Sequence, residues 1–431
     1  MTNIVTKPNT NRLAVSSESD FPVYFWSTVF TVLLFLRDSY SVGINKYLFI
    51  VITVLCAITM KPKQLIYLFS FLFPLYVGLP GNYMTLIFLL RLSLDYKNIL
   101  FRRSSVFFTV AISLFIFLQN YITGYTSITH MMFIPGVVLV LFLFSYRINL
   151  DYKMMILLYS FGVASLGMIM LISTLQVYEL SSLMSVAFRL GSASVNYVSS
   201  NVMNVNVDPN YYGLFAIAAI SAGIPLIRGT TISRIEKTLL LVALISIVTV
   251  CLLGLSRAFV MVLVIWMILY LFLQKSAKNF IIVAFAITLG IILVFRFMPD
   301  VTNILLARFV DSDMATGNGR ILIIQHFFDL WSESIFYMIF GIGLFNNNVH
   351  SMPLQYLFGG GIILCVLMVG FVISLRTNQA FNKKSILERW LPMIVTLMMA
   401  STVPVAGLLN FMFPIIIAGF NLRISNLELE R

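Results

Sequence analysis

The sequence predicts an all-α polytopic membrane protein with about 12 to 14 transmembrane helices, and two observations carry this prediction. Of the 431 residues, 60% are hydrophobic and only 10% are charged, with a mean hydropathy of +0.97. That composition leaves too little polar surface to cover a soluble globule. The apolar runs, such as residues 238–255 and 279–297, are long enough to cross a hydrocarbon core of roughly 30 Å as helices.

Polar interruptions divide the chain into fourteen candidate spans. The span after Gly81 is short for a full crossing, and the last two are separated only by a break at residues 407–410, so twelve or thirteen crossings stay open. The spans are predicted to begin near Pro22, Lys46, Leu65, Gly81, Val106, Met131, Met154, Tyr211, Thr238, Ala258, Asn279, Leu354, Leu391 and Met412.

The basic residues predict which side each loop faces, because Lys and Arg accumulate in cytoplasmic loops. With both termini inside, 20 of the 28 Lys and Arg residues lie on inner segments, 7 lie outside, and Arg91 lies near the inner end of its span. The net charge of +12 therefore mostly reflects membrane topology. The basic residues are scattered over many inner segments, which argues against nucleic-acid binding. The predicted segments are a cytoplasmic tail (1–21), spans (22–173), a long outer loop (174–210), spans (211–297), a second long outer loop (298–352), spans (353–422) and a cytoplasmic tail (423–431).

The two long outer loops are the candidate functional regions, because connections of this length are usually functional or disordered and neither has the composition of a disordered linker. In the second loop, "GRILIIQHFFDLWSESIFYMIFGIGLF" from Gly319 predicts an amphipathic helix along the membrane interface. At the end of the first loop, Asp208 or Asn210 in "VDPNYYG" can cap the helix that begins near Tyr211, with Pro209 fixing the entry of the chain into that helix. The three cysteines each lie in an apolar span, which predicts neither a disulfide framework nor a thiolate metal site.

Four arginines on the predicted outer side suggest an anionic ligand: Arg189, Arg257, Arg308 and Arg320. Any one of them could instead extend to the lipid headgroups. Arginine is, however, the side chain best shaped to bind phosphate oxygens through two parallel hydrogen bonds. Arg257 is the most informative of the four, because it lies at the edge of an apolar hairpin, where a cation is costly unless it faces a cavity or a partner.

His350, in "NNNVHSMPLQYLFGGG", directly precedes a predicted span on the outer side. An imidazole there could accept a proton from a hydroxyl group. For His326, on the predicted interfacial helix, a polar contact at the membrane surface is the preferred interpretation.

Six short motifs in a fixed order resemble the O-antigen ligase and Wzy-type polysaccharide polymerase superfamily over roughly the C-terminal half of the chain. They are "RLG" (189–191), "DPNYYG" (208–213), "SRA" (256–258), "GNGR" (317–320), "FGIG" (340–343) and "HSMPLQYLFGGG" (350–361). The ten residues between Arg308 and Gly319 also resemble an Arg-x10-Gly spacing of such polymerases. Ser351 departs from the pattern, because ligase-like members often have Asn at this place, and the first 170 residues match only as a set of hydrophobic spans.

The resemblance implies a glycosyltransferase of the C type that needs neither metal nor cofactor and works on the outer face of the bacterial cytoplasmic membrane. Its substrate would be a glycan on undecaprenyl diphosphate, transferred by a polymerase to a new lipid-linked repeat unit or by a ligase to lipid A core. The product would be O-antigen, capsule or exopolysaccharide. Implied partners are membrane lipids and a chain-length regulator of the polysaccharide co-polymerase type.

The resemblance also implies roles for single residues. Arg257 and Arg320 would neutralise the leaving diphosphate, and His350 would orient or deprotonate the attacking hydroxyl. Arg189, Arg308, Asp208, Asn210 and Gly319 would bind or position the substrate. Asp208 is expected to act as a positioning element beside the site and not as the catalyst.

Alternatives stay open from the sequence. Asp38 in "LRDSYSVG" could serve a glycosyltransferase that uses an acid in its first outer loop, although this loop is short, and Asp311 and Asp313 in "DSDM" mimic a metal-binding Asp-x-Asp. A flippase for the same lipid-linked sugars is the rival from another class, but it would be expected to carry charges through several spans, and these spans are nearly free of charge. A sensor or scaffold without catalysis is the third possibility.

Overall fold

A computed structural model gives the structure of residues 20–40, 42–95, 103–122, 133–145, 150–176, 207–228, 232–254, 256–273, 277–297, 299–310, 320–344, 349–374, 386–403 and 408–419, together with 97, 99 and 101. Over these residues the protein is helical and contains no β-strand, which confirms the all-α class. The helices are α1 (Phe21–Ser39), α2 (Lys46–Thr59), α3 (Pro62–Leu72), α4 (Gly81–Ser93), α5 (Arg103–Ile122), α6 (Phe133–Ser145), α7 (Tyr152–Leu175), α8 (Pro209–Arg228), α9 (Arg234–Leu253), α10 (Arg257–Phe272), α11 (Ala277–Phe297), α12 (Pro299–Val310), α13 (Arg320–Ser332), α14 (Ile335–Phe340), α15 (Met352–Ser374), α16 (Ile386–Ala400) and α17 (Leu408–Gly419).

Each of the fourteen predicted spans corresponds to a helix that begins within five residues of its predicted start. Many of these helices start where a polar side chain satisfies a free backbone N–H of the first turn. Asn45 accepts from Tyr47 N at 3.0 Å, and Asp151 accepts from Lys153 N at 3.0 Å. Ser233 and Glu236 form a reciprocal capping box at the start of α9.

Four of the described helices are long and apolar enough to cross a membrane by length and composition: α7, α8, α9 and α15. Several other predicted spans form shorter helices. The 11-residue α3 is followed by a 3-10 turn at Pro74–Val77, and the 13 residues of α4 come next. At a rise of 1.5 Å per residue, each of α3 and α4 covers only about 16–20 Å, which is less than a hydrocarbon core.

The centre of the structure is α8, which packs against α7, α9, α10, α16 and α17. Its side chains are buried along most of its length, and small residues in "AIAAISAG" (216–223) let the neighbouring helices approach closely. In contrast, α11 exposes large apolar side chains along the helix, among them Phe280, Phe285 and Phe295. An apolar surface of this extent is typical of helices that face lipid.

The segment predicted as one interfacial helix from Gly319 forms two helices in the structure. The first, α13, ends at Ser332, and α14 begins after Ser334, whose hydroxyl accepts from Phe336 N at 3.0 Å. A Ser that can cap a new helix competes with continuing the old one. Gly319 itself and most of the first long outer loop lie outside the described residues, as do the two terminal tails to residue 19 and from residue 420.

Candidate functional site

The motifs "DPNYYG" and "SRA" meet at the starts of α8 and α10. Asp208 is exposed and caps α8, because its Oδ1 accepts from Asn210 N at 2.7 Å. Asn210 is buried, and its Oδ1 accepts a hydrogen bond from Ser256 Oγ at 2.6 Å. Of the two caps that the sequence left open, Asp208 is therefore the cap, and Asn210 joins the two helices.

Ser256 uses its hydroxyl in both directions at this junction. The hydroxyl donates to Asn210 and accepts from Phe259 N at 3.2 Å, which caps α10. Ser256 and Asn210 are 46 residues apart in sequence, and Ser256 is 1% exposed. The start of α10 is thereby fixed against the start of the central helix.

Arg257 follows Ser256 as the first residue of α10, and it is half-buried. The positive end of the helix dipole lies at this end of α10 and disfavours a cation there. A bound anion would reverse that effect, since it would interact favourably with both the guanidinium and the helix N-terminus.

His350 has a left-handed backbone, with φ of +53°, in the turn before α15. It is half-buried, whereas its neighbours Val349 and Ser351 are buried, at 1% and 4% exposure. The Ser351 carbonyl accepts from Gln355 N at 2.8 Å, which starts α15. A non-glycine residue keeps such a backbone only where its surroundings determine it, and such positions are frequent at functional sites.

The motif "FGIG" (340–343) crosses residues 358–361, the "FGGG" end of "HSMPLQYLFGGG". Phe358 at this crossing packs in one apolar cluster with Val349 of the turn. Ile342 N donates to Phe358 O at 2.9 Å, and Gly343 N donates to Gly359 O at 3.0 Å. Gly361 interrupts α15 with φ of +69°, and a Cβ on Gly361 would overlap the carbonyl oxygen of Ile339. The crossing therefore depends on glycine, and it fixes the base of the segment that contains His350.

Arg320 is the first residue of α13 and is half-buried. The other end of this helix is docked by Trp331, whose ring packs on Phe358 at 5.7 Å between centroids and belongs to one apolar cluster with Val349. Arg320 lies three turns away from Trp331, about 16 Å along the helix axis. Arg320 and His350 thus lie on segments that share one apolar cluster, whereas Asp208, Asn210 and Arg257 lie at the α8–α10 junction.

Three further predicted residues lie wholly or partly outside the described residues. Arg189 and Gly319 have no described position, and Arg308 lies in α12, whose backbone alone is described at this residue. Asp311 and Asp313 are outside the described residues as well. Among the residues that the structure describes, no three His, Cys, Asp or Glu side chains come together in a group that could hold a metal ion.

Asp38, weighed above as an acid, forms a buried ion pair with its neighbour Arg37. The Arg37 Nε to Asp38 Oδ1 distance is 2.6 Å, and Arg37 Nη2 lies 2.8 Å from Asp38 Oδ2. Arg37 Nη2 also donates to the Gly78 carbonyl at 2.7 Å, and the guanidinium lies over the Phe49 ring. The buried Asp38 carboxylate therefore holds the Arg37 guanidinium, and it is Arg37 that joins α1 to the turn before α4.

Gln119 is a residue that the sequence analysis missed. It lies buried in α5, and its Nε2 donates to Phe340 O at 2.8 Å and to Gly359 O at 2.5 Å. The available signal was the pair of amides Gln119 and Asn120 at the end of the apolar run "AISLFIFLQN", because an amide is costly in hydrocarbon unless it has partners.

The chain matches no protein-family model. The searches of curated proteins and of solved structures found no match either.

Proposed function

We propose that this protein is a polysaccharide polymerase that elongates a glycan carried on undecaprenyl diphosphate. One observation carries the proposal: motifs of the resemblance pair in the structure, "DPNYYG" with "SRA" and "FGIG" with the end of "HSMPLQYLFGGG". Each pair of motifs contains a half-buried basic residue. Arg257 is part of "SRA", and His350 is the first residue of "HSMPLQYLFGGG".

The proposed reaction breaks the bond between the anomeric carbon of the growing glycan and the oxygen of its lipid diphosphate. A hydroxyl of the incoming repeat unit forms the new glycosidic bond, and its proton passes to His350. Undecaprenyl diphosphate leaves, and Arg257 and Arg320 neutralise the charge that develops on it. Fixed cations lower a barrier most where charge grows in the transition state.

The proposed setting is the bacterial cytoplasmic membrane, with 12 to 14 spans, both termini in the cytoplasm and the reaction on the outer face. Four helices long and apolar enough to cross a membrane support the membrane setting. The Lys and Arg distribution supports the orientation. Arg189, Arg308, Gly319, Asp208 and Asn210 are proposed to bind the substrate or to position the groups that do.

The experiment uses purified protein in liposomes with undecaprenyl diphosphate-linked repeat units, and measures glycan length on gels. We expect Arg257→Ala and His350→Ala to lower the rate of elongation by about 100-fold or more, the scale typical of lost general-base or charge-stabilising groups. The matched controls are Arg296→Ala and His326→Ala, which remove exposed side chains of the same types. The elongation rates of both control variants should stay within about twofold of the wild-type rate.

Wild-type protein that never lengthens the glycan would overturn the proposal, as would full rates from both Arg257→Ala and His350→Ala. In producing cells, loss of the protein separates the rival activities. Loss of a polymerase leaves single repeat units on the acceptor, loss of a ligase leaves polymer on the lipid carrier, and loss of a flippase leaves units facing inward.

A further inference from the structure

The side-chain amide of Gln119 is bound to two backbone carbonyls that are far from it in sequence. Its Nε2 donates to Phe340 O at 2.8 Å and to Gly359 O at 2.5 Å, positions 221 and 240 residues away. A primary amide has two N–H donors, so these contacts use both of them. The side chain is 7% exposed, in the α5 face that packs against α15.

The two carbonyls lie where helices stop, and they therefore require partners from outside the helix. Phe340 is the last residue of α14, and Gly359 lies two residues before the break at Gly361. Carbonyls in the last turn of a helix have no intrahelical partner, and in a water-poor region an unsatisfied carbonyl is costly. Gln119 supplies a partner to Phe340 O and a second partner, beside Gly343 N, to Gly359 O.

We infer that Gln119 is a positioning residue for His350, and this inference rests on the catalytic role proposed for that histidine. The amide joins the two ends of the crossing from which the His350 segment extends. Gln355 joins the two ends of the same segment, because it lies in α15 after His350 and its Nε2 donates at 3.1 Å to the carbonyl of Leu344, which precedes His350. The His350 turn is fixed on its other side by Val349, which packs with Trp331 and Phe358.

Loss of the Gln119 amide should therefore move the His350 turn without removing any group that touches substrate. Gln119→Leu keeps the approximate volume and removes both donors. A displacement on the order of 1 Å at a reacting group can cost about 100-fold in rate. We expect kcat for elongation to fall by about 10- to 100-fold, with KM for the lipid-linked substrate unchanged within about twofold.

A double-mutant cycle with His350→Ala distinguishes positioning from a general structural effect. If Gln119 acts through His350, then Gln119→Leu in a His350→Ala background should lower the remaining rate by less than about twofold. The control is Thr109→Val on the same helix, which removes a buried hydroxyl that donates to Ser105 O at 2.8 Å. Thr109→Val should leave kcat within about twofold of wild type.

A second readout needs no activity. In a background with Cys56, Cys251 and Cys365 replaced by Ala, a cysteine introduced by His350→Cys is labelled with a maleimide, with and without Gln119→Leu. We expect Gln119→Leu to change the labelling rate by at least about threefold and Thr109→Val to leave it unchanged. If Gln119→Leu does not give monodisperse protein, Gln119→Asn, which keeps the amide and shortens its reach, is judged by the same readouts.

The two hypotheses fail in different ways. Wild-type protein without elongation activity overturns the proposed function, while the labelling experiment still decides whether Gln119 holds the turn. Additive losses in the double-mutant cycle together with an unchanged labelling rate overturn the positioning role, even if elongation itself is established.

Discussion

At the scale of single residues, two buried polar contacts hold helix ends together in the described structure. Ser256 bonds to Asn210 across the α8–α10 junction, and Arg37 bonds to Asp38 and to the Gly78 carbonyl. A paired buried polar group of this kind adds little to the free energy of unfolding. Removing one partner lowers the free energy of unfolding strongly, because the other group is left buried without a partner. Each contact therefore leads to a stability prediction.

Ser256→Ala should lower the free energy of unfolding by about 1–3 kcal/mol, because it removes the α10 cap and leaves Asn210 Oδ1 without the Ser256 hydroxyl. Unfolding of the purified protein by SDS in mixed micelles measures the change. The matched control is Ser332→Ala, since the Ser332 hydroxyl is exposed and donates only to Asp329 O at 3.0 Å. An effect no larger than that of Ser332→Ala would contradict the role given to the junction.

Arg37→Met should destabilise the protein by about 3–5 kcal/mol, because it leaves the Asp38 carboxylate buried without its cation. The double substitution Arg37→Met with Asp38→Leu should be the more stable of the two variants, because no buried charge remains. SDS unfolding of both variants gives the comparison. A double variant less stable than Arg37→Met alone would show that the pair contributes more than mutual neutralisation.

At the scale of elements, the interruption of α15 at Gly361 decides how the helix meets its neighbours. Because the helix breaks there, the carbonyls of the preceding turn can accept from "FGIG" and from Gln119. Broken helices at membrane depth occur where the released backbone groups find partners in protein. Here the partners are a backbone segment and a side chain of another helix.

Gly361→Ala should destabilise this crossing strongly. An Ala there carries a backbone with φ of +69° and a Cβ that overlaps the Ile339 carbonyl oxygen, and the backbone conformation alone costs about 1–3 kcal/mol. Gly290→Ala in α11 is the control, because a Cβ there meets nothing within 4 Å, and Ala favours a helix by about 1 kcal/mol. Expression level and thermal stability in detergent should fall for the first variant alone, and equal stability of the two would refute the account.

The sequence predicted the positions of helices well and their contacts hardly at all. Starts such as Lys46 and Gly81 follow from apolar runs and helix-start signals, which are local. The break at Gly361 could be suspected from three consecutive glycines, but its geometry depends on Ile339. The bonds of Asn210 to Ser256 and of Gln119 to Gly359 join residues far apart in sequence, and no local pattern contains that information.

At the scale of the whole molecule, the charge distribution predicts on which side each helix end lies. Arg234 is the exposed first residue of α9 and is predicted to face the cytoplasm, whereas Glu333 is exposed after α13 and is predicted to face outward. The same predicted topology places His350 on the outer side of the membrane. The orientation is therefore a condition for the proposed reaction as well as a structural property.

Labelling of single cysteines in intact cells tests this orientation. With the three native cysteines replaced, Glu333→Cys should react with a membrane-impermeant maleimide before permeabilisation, and Arg234→Cys should react only afterwards. Both positions are exposed, so solvent access is matched. The opposite pattern would place the His350 turn in the cytoplasm and would exclude an outer-face reaction.

The central place of α8 also bears on how the chain is made. During synthesis α8 leaves the ribosome soon after α7, but α16 and α17, which pack against it, come much later. Until they are inserted, the surface of α8 that they will cover has only lipid beside it, since bundles assemble after their helices enter the bilayer. A stop codon anywhere between α10 and α16 would therefore yield a chain in which α8 lacks two of the helices that pack against it.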